Sequence, residues 1–214
     1  MPSVSRDYKP DHGQSRAVPT QARSQASRNA IMQAALALWR TKGFADTTVT
    51  DICKAAGVSK ALFYVYFSRR EDVLLAVEVF TVHHAQLAAE TVLARPYELV
   101  ELIAAVIGPL ESQMRNYPPE LVFETILETY RLERRALADG TAQDQLTVLF
   151  LTPFQQAQRD GKLPARTDVT RAARIAQTLL TDSIRRWAAS DFGSEPLTEP
   201  LAREIAELVL GVNH

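Results

Sequence analysis

A seven-residue segment, SKALFYV, combines a hydroxyl, an ammonium group and a phenol with small and aliphatic side chains. Lys60 lies near the start of a predicted helix, where its charge can reach a phosphate oxygen. At about 100° per residue, Ala61 and Val65 face outward, and Leu62 and Tyr64 flank them. A face of this kind can contact a phosphate backbone and the edges of bases.

Two short helices joined by a tight turn are needed to present that face. Thr48, followed three positions later by Asp51, has capping-box spacing, which marks the start of the first helix. Gly57 lacks a Cβ atom and can end this helix in a left-handed conformation, and Ser59 can cap the next helix. The side chains predicted to face inward from the two helices are Val49, Ile52, Cys53, Ala56, Phe63, Tyr66 and Phe67. The segment 48–67 therefore predicts a helix-turn-helix.

The stretch AAGVSKALFYVYF, followed by SRREDVLLAV, resembles the DNA-binding signature of TetR-family repressors. The resemblance extends from the helix before Gly43 to the start of the helix after Ser68. It implies an all-α protein, with an amino-terminal helix-turn-helix three-helix domain and a carboxy-terminal helical domain for ligand binding and dimerisation. The rest of the chain matches the family only in length and helical character.

The resemblance also implies which side chains touch DNA, because hydroxyl, ammonium, phenol and guanidinium groups suit phosphates and base edges. The predicted DNA-binding residues are Thr48, Thr50, Ser59, Lys60, Ala61, Leu62, Tyr64, Val65 and Arg70. Leu62 and Val65 stand where relatives often carry polar residues, so we expect one of them to contact the methyl group of a thymine. The alternative is that both side chains only pack within the protein.

Charge is distributed unevenly, although the formal net charge of the 214 residues is only −1. Residues 1–72 contain 11 Lys or Arg and 6 Asp or Glu, whereas residues 73–214 contain 13 and 19. The basic surplus therefore coincides with the predicted DNA-binding end, where it attracts a polyanion and makes binding dependent on salt. A chance imbalance is the alternative.

Composition is that of a soluble globular protein, with 46% hydrophobic and 23% charged residues. The longest purely apolar run, residues 102–107, is far shorter than the roughly 20 residues that cross a bilayer. The amino terminus lacks the apolar core of a secretion signal. The single cysteine, Cys53, excludes an internal disulfide and fits a reducing cytoplasm; we expect it to pack, with redox sensing as the alternative. These features predict a cytoplasmic protein.

Apolar periodicity and turn signals predict helices almost throughout. Besides the two helices of the motif, they cover residues 24–42, 68–93, 96–116, 118–138, 141–159, 168–190 and 199–210. A second capping box, Ser68 with Glu71, is expected to open the helix that links the domains. The predicted parts are a disordered tail at 1–22, a DNA-binding domain at 23–83 and an effector-binding and dimerisation domain at 84–214.

The first 22 residues lack apolar periodicity and cannot bury enough surface to offset the entropy of ordering. The basic side chains of this segment and its border are Arg6, Lys9, Arg16 and Arg23. They can follow a DNA backbone or enter a minor groove, as basic arms do. A passive extension is the alternative.

Two prolines, Pro109 and Pro153, each remove an amide donor and are expected to kink their helices, which leaves space between helices. In the resembling family the second domain holds a small-molecule cavity, so we predict an apolar or aromatic effector. The side chains available to line a cavity are Phe80, His84, Met114, Tyr117, Phe123, Tyr130, Phe150, Phe154 and Trp187. For each of them, packing or simple exposure is the alternative.

Two apolar stripes mark the last two predicted helices. They consist of Val169, Ala172, Ala173, Ala176, Leu179, Leu180, Ile184 and Trp187, and of Leu201, Ile205, Leu208 and Val209. In the family these helices form a four-helix bundle with those of a second subunit, so the resemblance implies a homodimer through the last two helices. A twofold dimer suits a palindromic operator in double-stranded DNA, with half-sites one or more turns of about 34 Å apart. The alternative is that the stripes only close the core of one subunit.

The resulting hypothesis is a sequence-specific transcriptional regulator, a repressor that a small-molecule ligand releases from its operator. The helix predicted at residues 68–93 would carry the motion between the domains. An effector-independent dimeric DNA-binding protein and an activator are the alternatives.

An all-α enzyme is a further alternative, but the residues argue against it. The chain has no glycine-rich phosphate loop, paired cysteines, HExxH sequence or nucleophile elbow. Glu120, Glu124 and Glu128 have the spacing of a solvated helix face. His83 and His84 are adjacent and point about 100° apart, so they do not form a pair of metal ligands. We predict no enzymatic activity, no metal and no cofactor.

Overall fold

The computed structural model describes residues 17–139 and 149–211, and the regular elements in these two stretches are all α-helices. They are α1 (Ala17–Lys42), α2 (Val49–Ala56), α3 (Lys60–Tyr66), α4 (Glu71–Leu93), α5 (Leu99–Met114), α6 (Pro119–Ala138), α7 (Leu151–Arg159), α8 (Val169–Ala189) and α9 (Thr198–Leu210). The predicted all-α fold is confirmed, with the helix-turn-helix in α2 and α3.

Two clusters of buried apolar side chains form the interior. The amino-terminal cluster joins α1, α2, α3 and the first half of α4 around Trp39. The carboxy-terminal cluster joins the second half of α4 to α5–α9 around Phe154. Leu121, from the first turn of α6, is buried in the amino-terminal cluster, so this cluster includes a residue from beyond the linking helix. The predicted domain limits, 23–83 and 84–214, stay predictions.

The first helix is longer than predicted, since α1 begins at Ala17 and not at residue 24. Pro19 lies in its first turn, where a helical amide has no intrahelical acceptor, so the missing N–H breaks no hydrogen bond. The prediction of a disordered tail is therefore wrong for residues 17–22. Residues 1–16, and with them most of the predicted basic arm, lie outside the described residues.

The start of α4 also differs from the prediction. The helix begins at Glu71, and no hydrogen bond between Ser68 and Glu71 is described there. Instead, the Arg69 amide donates to Oδ2 of Asp72 at 2.9 Å. The side chains of Arg69 and Arg70 bind groups on other elements, and these long-range contacts hold the residues before Glu71 in a turn. The predicted second capping box is therefore wrong.

The two prolines behave differently. Pro109 lies inside α5, as predicted. Pro153 is the third residue of α7, which begins at Leu151, and an amide in a first turn needs no intrahelical acceptor. The prediction that Pro153 kinks a longer helix is therefore wrong, although residues 140–148 of the predicted helix lie outside the described residues.

The apolar stripes of the last two helices lie mostly in the core of their own subunit. Buried members of these stripes, which belong to the carboxy-terminal cluster, are Ala172, Ala173, Ala176, Leu180, Ile184, Trp187, Leu201 and Ile205. For these residues the alternative interpretation, closure of one subunit, is correct. Leu208 is exposed, and Leu179 and Val209 are half-buried. The residues of α8 and α9 that remain available to a second subunit are those on their outward sides.

A buried carboxylate ties α5 to the start of α9. Oε2 of Glu111 accepts hydrogen bonds from the amides of Leu197 at 3.1 Å and Thr198 at 2.8 Å, and from the Thr198 hydroxyl at 2.6 Å. Its other oxygen accepts two hydrogen bonds from Arg115. Burial alone raises the pKa of Glu111, but these donors together lower it below its ordinary value. The carboxylate thus serves as a cap for a helix that is distant in sequence.

Replacing Glu111 with Gln is expected to lower the free energy of unfolding by about 2 kcal/mol at pH 7, because a neutral amide replaces an anion with several donors. A lowered folded-state pKa means that the carboxylate stabilises the fold above its ordinary pKa of 4.5 and loses this effect as pH falls through the folded value. Thermal unfolding of the wild type and of Glu111→Gln should give midpoint temperatures whose difference narrows only below pH 4.5. Glu204→Gln, on the exposed side of α9, is the control. A gap independent of pH would contradict the assignment.

Candidate nucleic-acid interface

The first helix of the motif is capped as its sequence predicts. The Asp51 amide donates to Oγ1 of Thr48 at 3.2 Å, and the Thr48 amide donates to Oδ2 of Asp51 at 2.9 Å. Lys42 of α1 donates to the same Asp51 oxygen at 2.7 Å. The bond from Lys42, followed by those from Thr48, holds the pKa of Asp51 far below its ordinary range. The predicted capping box is confirmed, and it also ties α2 to α1.

The turn and the second cap are also confirmed. Gly57 adopts the left-handed conformation, with φ +66°, at the end of α2. Oγ of Ser59 accepts a hydrogen bond from the Leu62 amide at 3.1 Å, which satisfies one free donor in the first turn of α3. Cys53 is buried on α2, and burial raises the pKa of its thiol, so the expectation that it packs is confirmed.

The inner side of α3 is held by packing and by α1. Phe63 and Phe67 are buried in the amino-terminal cluster. The Tyr66 hydroxyl donates to Oγ of Ser24 at 3.1 Å, and the guanidinium of Arg28 lies 5.5 Å from the centre of the Phe67 ring. The predicted inward face is confirmed, and α1 fixes the rotation of α3 about its axis.

The outer side of α3 faces solvent with the predicted side chains. Tyr64 is 55% exposed and Val65 is 74% exposed. Lys60 and Ala61 are exposed beside them, and Leu62 is half-buried. The high exposure of Val65 means that packing within the subunit does not account for it.

The hydroxyl groups among the remaining predicted DNA contacts differ in whether they are already used in hydrogen bonds within the protein. Thr50 and Ser59 are exposed, but the Thr48 hydroxyl donates to Oδ2 of Asp51 at 2.8 Å. The Thr48 hydroxyl thus both donates and accepts a hydrogen bond inside the capping box, which leaves one oxygen lone pair for another contact. That these residues touch DNA stays a prediction.

Arg70 has a structural task that the sequence did not indicate. One guanidinium nitrogen donates to the carbonyls of Phe44 at 2.8 Å and Thr47 at 2.6 Å, and the group lies 4.1 Å from the centre of the Phe44 ring. A second nitrogen contacts Glu71 at 3.1 Å. These contacts brace the turn between α1 and α2, so most of the guanidinium faces protein. Its role as a DNA contact stays a prediction for the remaining N–H groups.

One of the three glutamates predicted on a solvated face is buried. Glu120 is exposed and Glu124 is half-buried, whereas Glu128 is 1% exposed. It forms ion pairs with Arg131 and Arg135 of α6 and with Arg69, which lies in the turn after α3. The expectation for Glu128 is therefore wrong. The arginines three and seven positions after it were the available signal, since they share its side of a helix.

The predicted ligand residues do not line one cavity. Phe150 and Phe154 are fully buried in the carboxy-terminal cluster, and Trp187 lies beneath the guanidinium of Arg115 at 4.6 Å. Met114 and Phe123 pack partly buried against that cluster. Tyr117 packs instead against the amino-terminal cluster, with the Arg40 guanidinium 5.3 Å from the centre of its ring. For Phe150 and Phe154, core packing is the role described.

Three of these residues lie on the outside. Tyr130 is 56% exposed on α6 and Phe80 is 53% exposed on α4. The Phe80 ring contacts the ring of His84, also exposed, with centroids 4.2 Å apart. Thr81 and Ala85 are the buried residues of this part of α4, so Phe80 and His84 point about 100° away from the interior. These three side chains are therefore exposed in the subunit, and that they contact a ligand stays a prediction.

The described part of the chain contains no group of three or more His, Cys, Asp or Glu side chains arranged to hold a metal ion. None of the helices in residues 17–139 and 149–211 is long and apolar enough to cross a membrane.

Two capped helices that meet at a glycine turn, with a single exposed face on the second, define a helix-turn-helix DNA-binding protein. The model of the family described as bacterial regulatory proteins, tetR family, matches residues 31–77. The transcriptional regulator EthR of Mycobacterium tuberculosis is 37% identical over 190 residues, which make up 84% of this chain and 82% of EthR. The chain belongs to the TetR family of transcriptional regulators.

Further relatives agree with this assignment. The transcriptional regulator SrpR of Pseudomonas putida is 25% identical over 165 residues, 76% of this chain and 75% of SrpR. Thermus thermophilus FadR, a TetR-family transcriptional repressor solved in complex with lauroyl-CoA, is 27% identical with a TM-score of 0.67, and the match covers 87% of this chain and 95% of FadR. The likeness therefore extends over both parts of the fold.

Proposed function

We propose that this regulator is a dimeric repressor that binds a palindromic operator through α3 and leaves it when a ligand binds the carboxy-terminal part of the fold. The observation that carries the DNA-binding part is the exposed face of α3, held by caps on both helices and by α1. Relatives that are transcriptional regulators support the same role. Turnover of a substrate forms no part of this proposal.

The chemistry of the α3 face supports contacts of two kinds. Lys60 and the hydroxyls of Thr50 and Ser59 suit phosphate oxygens, which position the protein on the duplex. Val65, and beside it Leu62, suit the methyl group of thymine in the major groove. We propose that all the DNA-binding residues predicted from the sequence contact DNA. For Arg70, the contact would use the N–H groups that do not bind the Phe44 and Thr47 carbonyls.

Selection of bound sequences from a random pool of duplex DNA tests the DNA-binding part. We expect a palindromic site, and binding that weakens as salt is raised because counterions are released from the phosphates. Lys60→Ala should weaken binding to all sequences and reduce the slope with salt. Enrichment that is indifferent to Lys60 and Tyr64 would refute the proposed interface.

The outward sides of α8 and α9 support a twofold dimer. They border a groove of about 680 Å³ that is lined partly by Ile175, Leu179 and Leu208. The sequence of α8 carries four arginines and one aspartate, and that of α9 carries three glutamates and one arginine. In an isologous pair the same patch meets itself, so a basic helix can face an acidic helix of the second subunit.

Replacing Leu208 with Asp is expected to raise the dissociation constant of the dimer about 100-fold, since it places a charge at the centre of an apolar contact. Sedimentation at several protein concentrations measures this. Leu137→Asp is the matched control, because Leu137 is equally a large exposed apolar side chain but lies on α6. A dimer that is unchanged by Leu208→Asp, or changed as much by Leu137→Asp, would show that the surface is elsewhere.

For the effector we propose a molecule with a long apolar chain, and an acyl thioester as its class. The support is the likeness to Thermus thermophilus FadR, whose structure contains lauroyl-CoA, and the many buried aliphatic and aromatic side chains of the carboxy-terminal cluster. A ligand can shift the equilibrium only by its difference in affinity for the two states.

Operator binding with and without lauroyl-CoA tests this class. We expect lauroyl-CoA to weaken operator binding about tenfold or more, within the usual range of coupling free energies. Free coenzyme A and free laurate, tested separately, show whether both parts of the molecule are needed. An operator complex that is indifferent to lauroyl-CoA would reject the acyl-thioester class and leave the DNA-binding proposal untouched.

A further inference from the structure

A buried carboxylate at the junction of the two clusters holds three guanidinium groups. Glu128 of α6 accepts hydrogen bonds from Arg69 at 2.6 Å, Arg135 at 3.0 Å and Arg131 at 3.2 Å. Arg131 and Arg135 belong to α6 itself. Arg69 belongs to the turn between α3 and α4, 59 residues earlier in the chain.

These donors keep the buried carboxylate ionised. Burial alone raises the pKa of Glu128, but the hydrogen bonds from Arg69, Arg135 and Arg131 together bring it below its ordinary value. Hydrogen bonds between ionised groups are short and about twice as strong as neutral ones. The contact between Arg69 and Glu128 is thus a charged tie between α6 and the residues that directly follow the DNA-reading helix.

Arg69 and Glu128 each form further ion pairs with residues close to them in the sequence. The Arg69 nitrogen that binds Glu128 also binds Oδ1 of Asp72 at 2.8 Å, and the Arg69 amide donates to Oδ2 of the same carboxylate. If the junction separates, Arg69 keeps Asp72, and Glu128 keeps Arg131 and Arg135. Separation of a buried pair is costly mainly because it leaves a bare charge. Here no bare charge is left, so this tie can open at a cost that ligand or DNA binding can supply.

The tie reaches the DNA-reading helix through a short, rigid path. Phe67, which ends α3, is buried, and Arg69 is only two residues further along the chain. The first turn of α6 also contacts the amino-terminal cluster, through Leu121. Glu128 lies two helical turns beyond Leu121, about 10 Å along the axis. The apolar contact at Leu121 can serve as a pivot when the charged contact opens.

A separate contact between α4 and α6 does not duplicate the tie. The Thr129 hydroxyl donates to Glu78 of α4 at 3.0 Å. Glu78 lies on the linking helix, more than a turn beyond Arg69, and this bond does not involve the residues next to α3. The orientation of α3 relative to α6 therefore depends on Glu128 in a way that Thr129 cannot replace.

We propose that Glu128 is a positioning residue for the DNA-reading helix, and that its bond to Arg69 is a releasable tie that fixes the orientation of α3 against α6. The surplus of arginines around one carboxylate is the feature that makes the tie releasable. The proposal rests on the proposed function only for its effect at an operator.

Amide hydrogen exchange of the whole protein, without DNA or ligand, tests the tie directly. Glu128→Gln and Arg69→Gln should each speed exchange in residues 60–72 about tenfold, the loss expected for one charge-assisted hydrogen bond. The double variant should be no faster than Arg69→Gln alone, because that single change already removes the bond to Glu128, and Arg69→Lys should retain most of the protection. Glu124→Gln, on the same helix, is the matched control.

Three outcomes would overturn the proposal. The first is that Glu128→Gln leaves amide exchange in residues 60–72 unchanged. The second is that Glu124→Gln speeds exchange in these residues as much as Glu128→Gln does. The third is that exchange speeds up evenly over α5–α9, which would mean general destabilisation. The same variants are then compared on the operator selected from random DNA. We expect the changes in operator affinity for Arg69→Gln and Glu128→Gln to be non-additive. If no operator is found, the proposed function fails, whereas the exchange result still decides on the tie.

Discussion

Replacing Tyr64 with Ala is expected to lower operator affinity by about 10-fold to 100-fold, the effect of losing one or two good contacts in the groove. Tyr64 is 55% exposed and packs only edge-on against Phe63, with ring centroids 5.5 Å apart. The substitution should therefore change the free energy of unfolding by only about 0.5 kcal/mol. Loss of binding with an intact fold would identify Tyr64 as a DNA contact.

Fluorescence anisotropy with the selected operator measures this effect, and thermal unfolding checks the fold. Tyr64→Phe separates the hydroxyl from the ring, because a phosphate contact needs the hydroxyl and an apolar contact does not. Tyr130→Ala is the matched control, since Tyr130 is 56% exposed but lies on α6. Wild-type affinity of Tyr64→Ala would rule out the predicted contact. Uracil in place of each thymine tests Val65 in the same assay, because it removes only the methyl group.

Replacing Arg70 with Met is expected to lower the free energy of unfolding by roughly 2–3 kcal/mol, the largest loss of stability predicted for this chain. The change removes the Arg70 donors to the Phe44 and Thr47 carbonyls. The Phe44 carbonyl keeps the Thr47 amide as a donor, whereas loss of the donor to the Thr47 carbonyl in a partly buried turn costs about 1–3 kcal/mol. It also removes the cation from the face of the Phe44 ring. Chemical denaturation followed by circular dichroism measures the loss.

Two further variants interpret that result. Arg70→Lys keeps the charge but not the planar group, so it should recover less than half of the lost stability. Arg166→Met, at an exposed arginine, is the control for the loss of one positive charge. If Arg70→Met were as stable as the wild type and yet bound DNA with a smaller salt slope, Arg70 would be a phosphate contact and not a brace.

The parts of the interface that the sequence predicted correctly are those set within a few residues. The caps at Thr48 and Ser59 and the left-handed Gly57 depend on backbone groups at most four positions away. The rotation of α3 follows from which of its side chains are apolar. Short sequence patterns determine such features, and the resemblance to a known family rests on the same patterns.

The features that could not be predicted are those made by residues far apart in the sequence. Arg70 meets carbonyls 23 and 26 positions earlier, and Arg69 meets a carboxylate 59 positions later. Because these partners outweigh the local cap, the predicted start of α4 was wrong. No spacing rule within one helix indicates these contacts.

The predicted ligand residues lie in different parts of the fold for another reason. They were chosen by residue type, and type does not specify direction. On α4, Phe80 precedes the buried Thr81 by one position, and one position is about 100° of rotation. The residues selected by type therefore include some in the core, some between the two clusters and some on the surface.

The sharing of Leu121 between α6 and the amino-terminal cluster determines which piece of this protein can be transplanted. A chimera that takes only residues 1–83 would leave behind both Leu121 and Glu128, and would meet a foreign helix where these two side chains belong. Its amino-terminal cluster would lack the apolar contact with Leu121, and the turn after α3 would lack the ion pair with Glu128. A module with a new operator preference should therefore be exchanged together with its own α6, and the natural unit of exchange in this protein is discontinuous in sequence.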